Sequence, residues 1–251
     1  MNIKKKLSLS GLISRILLTV AGIFIIAVVA AFAIWHNEIF TVTSIQQLTT
    51  ADPSHDDGAV YTMKVSGGYY FDDFLKENGA KNDSELISFI TDKITKGVIP
   101  MKIDNSEISC SAFTASTPDG KRLFGRNYDF DKTNTMIVYT NPGGGRHASV
   151  STVDLQFVSV NIEEGITGMK DKILCLAAPY APLDGVNDAG VSCGIFMTYQ
   201  GEKTVPTDVN TDKPDLTSTT MLRMVLDYAG SVDEAIDLIK KYDLHDSAKT
   251  S

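Results

Sequence analysis

From Ile16 to Trp35 the chain reads ILLTVAGIFIIAVVAAFAIW, twenty residues without a charge, and no other stretch restricts so tightly what the rest can do. At about 1.5 Å of rise per residue it makes roughly 30 Å of helix, the thickness of a bilayer's hydrocarbon core. A helix buried in a soluble core would show a polar face, and none interrupts this run. Lys4, Lys5, Lys6 and Arg15 precede it and the acidic stretch from Asp52 to Asp57 follows. The basic flank places the N-terminus in the cytoplasm and the remaining chain outside. Trp35 sits where an interfacial aromatic anchors a span. A cleaved secretory signal has the same charge order but an apolar region of only about 7–15 residues, ending on small residues as Ala31-Phe32-Ala33 do; the length favours the anchor. The expected organisation is a basic segment at 1–15, a transmembrane helix at 16–35, a solvated linker at 36–60, a segment at 61–109, and a domain from 110 to 251.

A net charge of -8 argues against nucleic acid, whose phosphates require a basic face, and no basic stripe exists beyond the extreme N-terminus. The three cysteines, Cys110, Cys175 and Cys193, are odd in number and lack C-x-x-C spacing, so neither a disulfide framework nor a zinc site is suggested. His36, His55, His147 and His245 stand singly in polar surroundings and read as surface histidines. No metal or organic cofactor is expected.

Asn82 to Gly97 predicts a helix, with Asn82 as cap, Glu85 three residues on, and Leu86, Phe89, Ile90 and Ile94 on one face. From Ile108 to Phe130 short strand-like runs flank Pro118-Asp119-Gly120, a hairpin turn. Further strands are expected at 136–140, 149–160 and 191–199, with 143–145 and 184–190 as turns and a polar loop over 201–215. Met221, Leu222, Met224, Val225 and Tyr228 then make a helical face that Gly230 ends. Ser231 with Glu234 caps a second helix carrying Ala235, Ile236, Leu238 and Ile239. Helix, strands, then paired helices indicate an α+β architecture rather than alternating βαβ units.

With Asp119-Gly120 as a two-residue loop, Pro118 pairs with Lys121 and Cys110 faces Asp129 across the hairpin. Strict alternation sends Arg126 and Asp129 to opposite faces, so a break or bulge is needed if both serve one site, and Gly125 is its natural place. On spacing alone, a buried core thiol beside an ordinary surface ion pair is the simpler account.

The run CSAFTASTPDGKRLFGRNYDF, residues 110–130, changes that balance. It resembles the start of the catalytic chain in the choloylglycine hydrolase family of linear amide C–N hydrolases, which includes bile salt hydrolases, penicillin V acylases and acid ceramidase. That pattern is a cysteine, a turn carrying D-G, then G-R-N-x-D, here with Arg126 and Asp129 at the matching distances. A second patch, LDGVNDAG at 183–190, is similar to the family's downstream D-G-x-N-x-x-G turn. The resemblance implies an αββα N-terminal-nucleophile sandwich and a cysteine nucleophile attacking small N-acyl amides through a thioester.

In such an enzyme the general base is the cysteine's own α-amine, so the bond between Ser109 and Cys110 must first be cut by self-cleavage. By resemblance, Asp129 orients that amine and Arg126 lies beside the sulfur and favours its thiolate. A backbone N–H on the strand after the D-G-x-N turn, counted to Met197, donates to the oxyanion. Asn187 is read as shaping its turn, and Cys175 and Cys193 as buried, inert thiols. The family's remaining oxyanion asparagine and a further arginine come from beyond the paired helices, so the chain is expected to be C-terminally truncated and the sandwich partial. Two rivals stand beside the amidase: a membrane-anchored binding protein on the same scaffold, and an acyltransferase.

Overall fold

The structure, a computed structural model, describes residues 9–52, 54, 57–101, 109–129, 132–196 and 211–245. The apolar run opens helix α1, Leu9–Thr43, which continues well past Trp35. Trp35 leaves helical geometry at φ −117° and ψ 20°, so two helical pieces meet there at a kink. No proline causes it; the Ala33 carbonyl instead accepts from the ring Nδ1 of His36 at 3.3 Å, a side-chain intrusion of the kind that bends helices. By length and composition α1 is able to cross a membrane, a test that a signal sequence also passes.

The stretch 36–60, expected as a solvated linker, instead carries helix as far as Thr43 and a strand at Gln46–Thr49. Beyond Trp35 the helix buries Thr41 and Val42 in the domain. Thr41 Oγ1 accepts the Ser66 amide at 2.9 Å and Glu38 accepts the Tyr70 hydroxyl at 2.8 Å. Strand β1, Gln46–Thr49, then pairs antiparallel with β2, Val60–Lys64. Helices α2, Phe71–Lys76, and α3, Asp83–Ile94, follow. The expected cap of α3 is present: Asn82 Oδ1 accepts the Glu85 amide at 3.0 Å, and Leu86, Ile90 and Ile94 are buried.

The remaining elements are β3 (Ser109–Ser116), β4 (Arg122–Asp129), β5 (Thr135–Thr140), β6 (Ser149–Asp154) and α4 (Met169–Leu174), whose end tightens into a 3-10 turn over Cys175–Tyr180. Then come β7 (Asp184–Asn187), β8 (Ser192–Gly194), β9 (Asp215–Thr217), α5 (Ser218–Tyr228), α6 (Val232–Ile239) and β10 (Asp243–His245). The strand expected at 149–160 ends at Asp154 and passes into a 3-10 turn at Leu155–Val158; of that expected at 191–199, Ser192–Gly194 is strand and residues 197–199 lie outside the described part of the structure. Asp184 to Asn187 is strand rather than turn, because it pairs with β6.

One six-stranded sheet runs β1-β2-β5-β6-β7-β8. Its β2–β5 pair is parallel, with α2, α3 and the β3–β4 hairpin between them in the chain, and its other pairs are antiparallel. Alternation sends Tyr61, Met63, Met136, Val138 and Val153 to one face, all buried in the main core. The aromatic rings of Phe71, Phe74, Phe89 and Tyr180 pack in that core with centroids 5.1 to 6.2 Å apart. Each such buried ring contributes about 1.5–3 kcal/mol. The opposite face carries the row Thr62, Ile137, Thr152, Asp184 and Gly194, and a second row in which Tyr139 and Val186 are exposed. This is a mixed α+β fold with helices against one sheet face. Among the described residues the β3–β4 hairpin reaches over the second face through Arg126.

Helix α5 is buried on almost every side. Its Arg223 and Asp227, both 0% exposed, pair at 3.1 Å, and Asp227 also takes Arg146 Nη1 at 3.2 Å and the Tyr69 hydroxyl at 2.5 Å. Two guanidiniums thus converge on one buried carboxylate, an arrangement stable only while every partner is in place.

Candidate active site

The hairpin turn decides which side chains meet. The Thr117 amide donates to the Lys121 carbonyl at 2.8 Å, and the Gly120 amide donates to Thr117 O at 2.9 Å. Gly120 is left-handed at φ +82°, and Asp119 is not. A two-residue type I′ loop needs both central residues left-handed, so the chain forms a three-residue loop with its glycine in the left-handed position. The register therefore shifts by one from expectation: Cys110 lies opposite Tyr128, and Ser109 opposite Asp129. A one-residue slip exchanges the faces of every side chain.

That slip removes the need for a bulge. The ladder passes through Gly125 unbroken, with Phe113 opposite and its ring over the space a side chain at 125 would fill. Cys110 and Arg126 now share a face by simple alternation. Arg126 Nη2 donates to Cys110 Sγ at 3.1 Å, and Cys110 is half-exposed.

The guanidinium sits in a seat made by three strands of the sheet. Arg126 Nη1 pairs with Asp184 Oδ2 at 2.9 Å, the two side chains being 2% and 16% exposed. Arg126 Nη2 also donates to the Ile195 carbonyl, and the Phe196 ring centroid is 5.3 Å from the guanidinium carbon. Asp184 is fixed in turn by the Thr152 hydroxyl, which donates to its Oδ1 at 2.6 Å across the β6–β7 ladder. Gly194, opposite Asp184 on β8, completes the seat by lacking a side chain: a Cβ there would lie 3.1 Å from Arg126 Cδ. The result is a thiol with a fixed cation beside it, the surroundings that a nucleophilic sulfur requires.

Of the residues expected from sequence, Cys110 and Arg126 are brought together. Asp129 and Ser109 are placed by backbone register, and their side chains lie outside the described part of the structure, as does Met197 altogether. Asn187 has the structural place read for it. Its Nδ2 donates to the carbonyls of Leu226 and Ala229, and its Oδ1 accepts the amides of Ala189 and Val191, tying the turn to the end of α5. Cys175 is buried as read, whereas Cys193 is partly exposed on β8; desolvation pushes both thiols up to about 12. His147 Nδ1 meets Asp188 Oδ1 at 2.6 Å near the surface. Among the described residues no group of His, Cys, Asp and Glu is placed to hold a metal ion.

Sequence reasoning missed Asp184 and Thr152. Asp184 is the second residue of the 183–190 patch, but a reading of that patch as a turn hides its role as a strand residue beneath Arg126. Nothing local to Thr152 signals its part, which arises from strand pairing with a segment 32 residues away.

A protein-family model described as linear amide C–N hydrolases, choloylglycine hydrolase family, matches residues 110–250, beginning at the cysteine of this site and covering more than half of the chain. Comparisons with curated proteins and with solved structures gave no match.

Proposed function

Because the chain belongs to the choloylglycine hydrolase family of linear amide C–N hydrolases, we propose that it is an amidase in which the Cys110 thiol attacks small N-acyl amides. The observation that carries this reading is the Arg126 guanidinium, 3.1 Å from Cys110 Sγ and held there by Asp184. The sulfur adds to the acyl carbon, the C–N bond breaks, and the amine leaves with a proton. Water then cleaves the thioester to release the carboxylic acid and regenerate the thiol.

The proton acceptor is the α-amine of Cys110, which becomes free when the bond to Ser109 is cut. The Cys110 thiol attacks the Ser109 carbonyl, the acyl group passes from nitrogen to sulfur, and water hydrolyses the resulting thioester. The register supports a part for Asp129 once that bond is gone. Asp129 faces Ser109, so loss of Ser109 leaves it beside the new amino terminus, where its carboxylate orients the amine. Met197 is assigned the backbone oxyanion donor. The first half of α1 anchors the chain, with the domain on the extracytoplasmic side as the basic flank before the helix dictates.

Intact-mass analysis of the full chain, with hydrolysis of a fluorogenic N-acyl amide, tests the mechanism. We expect cleavage between Ser109 and Cys110, and loss of both cleavage and hydrolysis in Cys110→Ala. An uncut chain that hydrolyses amides, or activity surviving in Cys110→Ala, refutes it. Proteinase added to intact cells tests the side: the domain should be degraded.

A further inference from the structure

An apolar groove of about 380 Å³ lies between α1 and the domain. One wall is α1 itself, through Ala31, Trp35, Ile39 and Val42; the other is the loop after α3, through Val98 and Ile99, and the start of α4, through Met169 and Ile173. The placement of this groove along α1 is informative. From Val42 to Ala31 the helix climbs roughly 16 Å, and Ala31 is a full turn above Trp35, on the side of the uncharged run. The far wall therefore reaches the level at which the span leaves hydrocarbon.

That wall presents apolar tips to the outside. Val98 is 71% exposed and Met169 63%, although they come from segments more than seventy residues apart in the sequence. Exposed Lys170 stands beside Met169, and exposed Lys96, two residues before Val98, lays its ammonium over the Tyr70 ring and donates to the Lys93 carbonyl. Apolar tips beside a lysine, at the foot of a helix of bilayer length, match the chemistry of a membrane boundary: acyl chains for the tips and groove, an anionic headgroup for the Lys170 ammonium.

We propose that the domain rests on the bilayer through this face, with Val98 and Met169 inserted and the groove filled by the acyl chain of a membrane lipid. This rests on the reading of α1 as a membrane anchor and goes beyond it, since an anchored domain need not touch the surface. The groove is separate from Cys110, which does not line it.

Trp35 is the sole tryptophan of the chain, which makes depth measurable by quenching. Full-length protein is reconstituted in vesicles of phosphatidylcholine and phosphatidylglycerol, with or without bromines high on one acyl chain of the phosphatidylcholine. In a Trp35→Phe background, Val98→Trp and Met169→Trp are compared with Val232→Trp. Val232 is also exposed, on α6, and lines no part of the groove. All three positions face solvent, so the fold tolerates the reporters. We expect Val98→Trp and Met169→Trp to lose intensity in brominated vesicles about as strongly as native Trp35 does, and Val232→Trp to lose none. Quenching of Trp35 without quenching at 98 and 169 overturns the docking while leaving the anchor standing. No quenching of Trp35 removes the anchor and the docking together, and equal quenching at Val232 overturns the assignment to this face.

Discussion

Asp184→Asn tests the link between the sheet and the sulfur. The substitution keeps the shape of the side chain and removes its charge from beneath a guanidinium that is 2% exposed, so water cannot take over as counterpart. A hydrogen bond to a charged group is worth about 1.5–3 kcal/mol, and deleting one partner of a buried pair outright costs about 3–5 kcal/mol. Asparagine retains a single carbonyl oxygen to serve both the Thr152 hydroxyl and Arg126. Asp184→Asn should therefore cost about 1.5–3 kcal/mol and Asp184→Ala about 3–5 kcal/mol. In a chain of this size each kcal/mol moves the melting temperature by about 2–4 °C. Thermal unfolding of the full chain in detergent, followed by near-UV circular dichroism, reads the change. In an Arg126→Met background the same Asp184→Asn change should be neutral or stabilising, because the carboxylate would otherwise be left buried beside no cation. Site-resolved alkylation of Cys110 by iodoacetamide should slow in Asp184→Asn as the guanidinium leaves the sulfur. If the two substitutions add within about 0.5 kcal/mol, the pair is not coupled and the seat described for Arg126 is refuted.

Asp154 is fully buried and burial pushes its carboxyl from 3.8 up to about 6, against the bonds it accepts from Gln156. The folded state thus binds a proton more tightly than the unfolded state. This contribution to stability is complete below pH 3.8 and is lost as pH rises through about 6, a change of about 3 kcal/mol. Asp154→Asn should abolish that part of the pH dependence, so that urea stability of variant and parent diverges in favour of the variant between about pH 4 and 7; curves that stay parallel refute the assignment. Asp227→Ala leaves Arg223 and Arg146 buried without their shared carboxylate and should destabilise by at least about 3 kcal/mol. A melting temperature within a few degrees of the parent would show that the network is dispensable.

The parts of this fold legible in the sequence are those governed by neighbours in the chain. Asn82 and Ser231 announce helix starts because a cap needs only the residue three positions on, and both accept the expected amides from Glu85 and Glu234. Strands β5 and β6 are visible by composition, whereas β2 is not, since its parallel pairing with β5 is a long-range property of five residues. Helix α2 lacks any side-chain cap and starts from Tyr69 and Tyr70, both left-handed, so no local signal marks it. Arg223 and Asp227 stand four apart on a helix, a spacing that suits an ion pair whether exposed or buried; only tertiary packing places them in the core.

At the candidate site the residue types are readable and the register is not. A Pro-Asp-Gly turn admits loops of two or three residues, and the choice moves Cys110 from facing Asp129 to facing Tyr128. Loop conformation settles it through Asp119, which does not adopt the left-handed geometry that the shorter loop demands. Asp184 is hidden for a different reason: its importance belongs to Arg126, which arrives from another sheet.

A coil spanning residues 36–60 would act as a leash, letting whatever it carries wander about 25–30 Å from its point of attachment. Helix α1 instead runs into the packed residues Thr41 and Val42 with a single bend at Trp35, which makes it a stalk. Height and tilt of the domain are then set by whatever grips the first half of that helix. A change in the bend at one tryptophan swings the whole body like a lever, so the orientation presented to an incoming molecule is built into the stem.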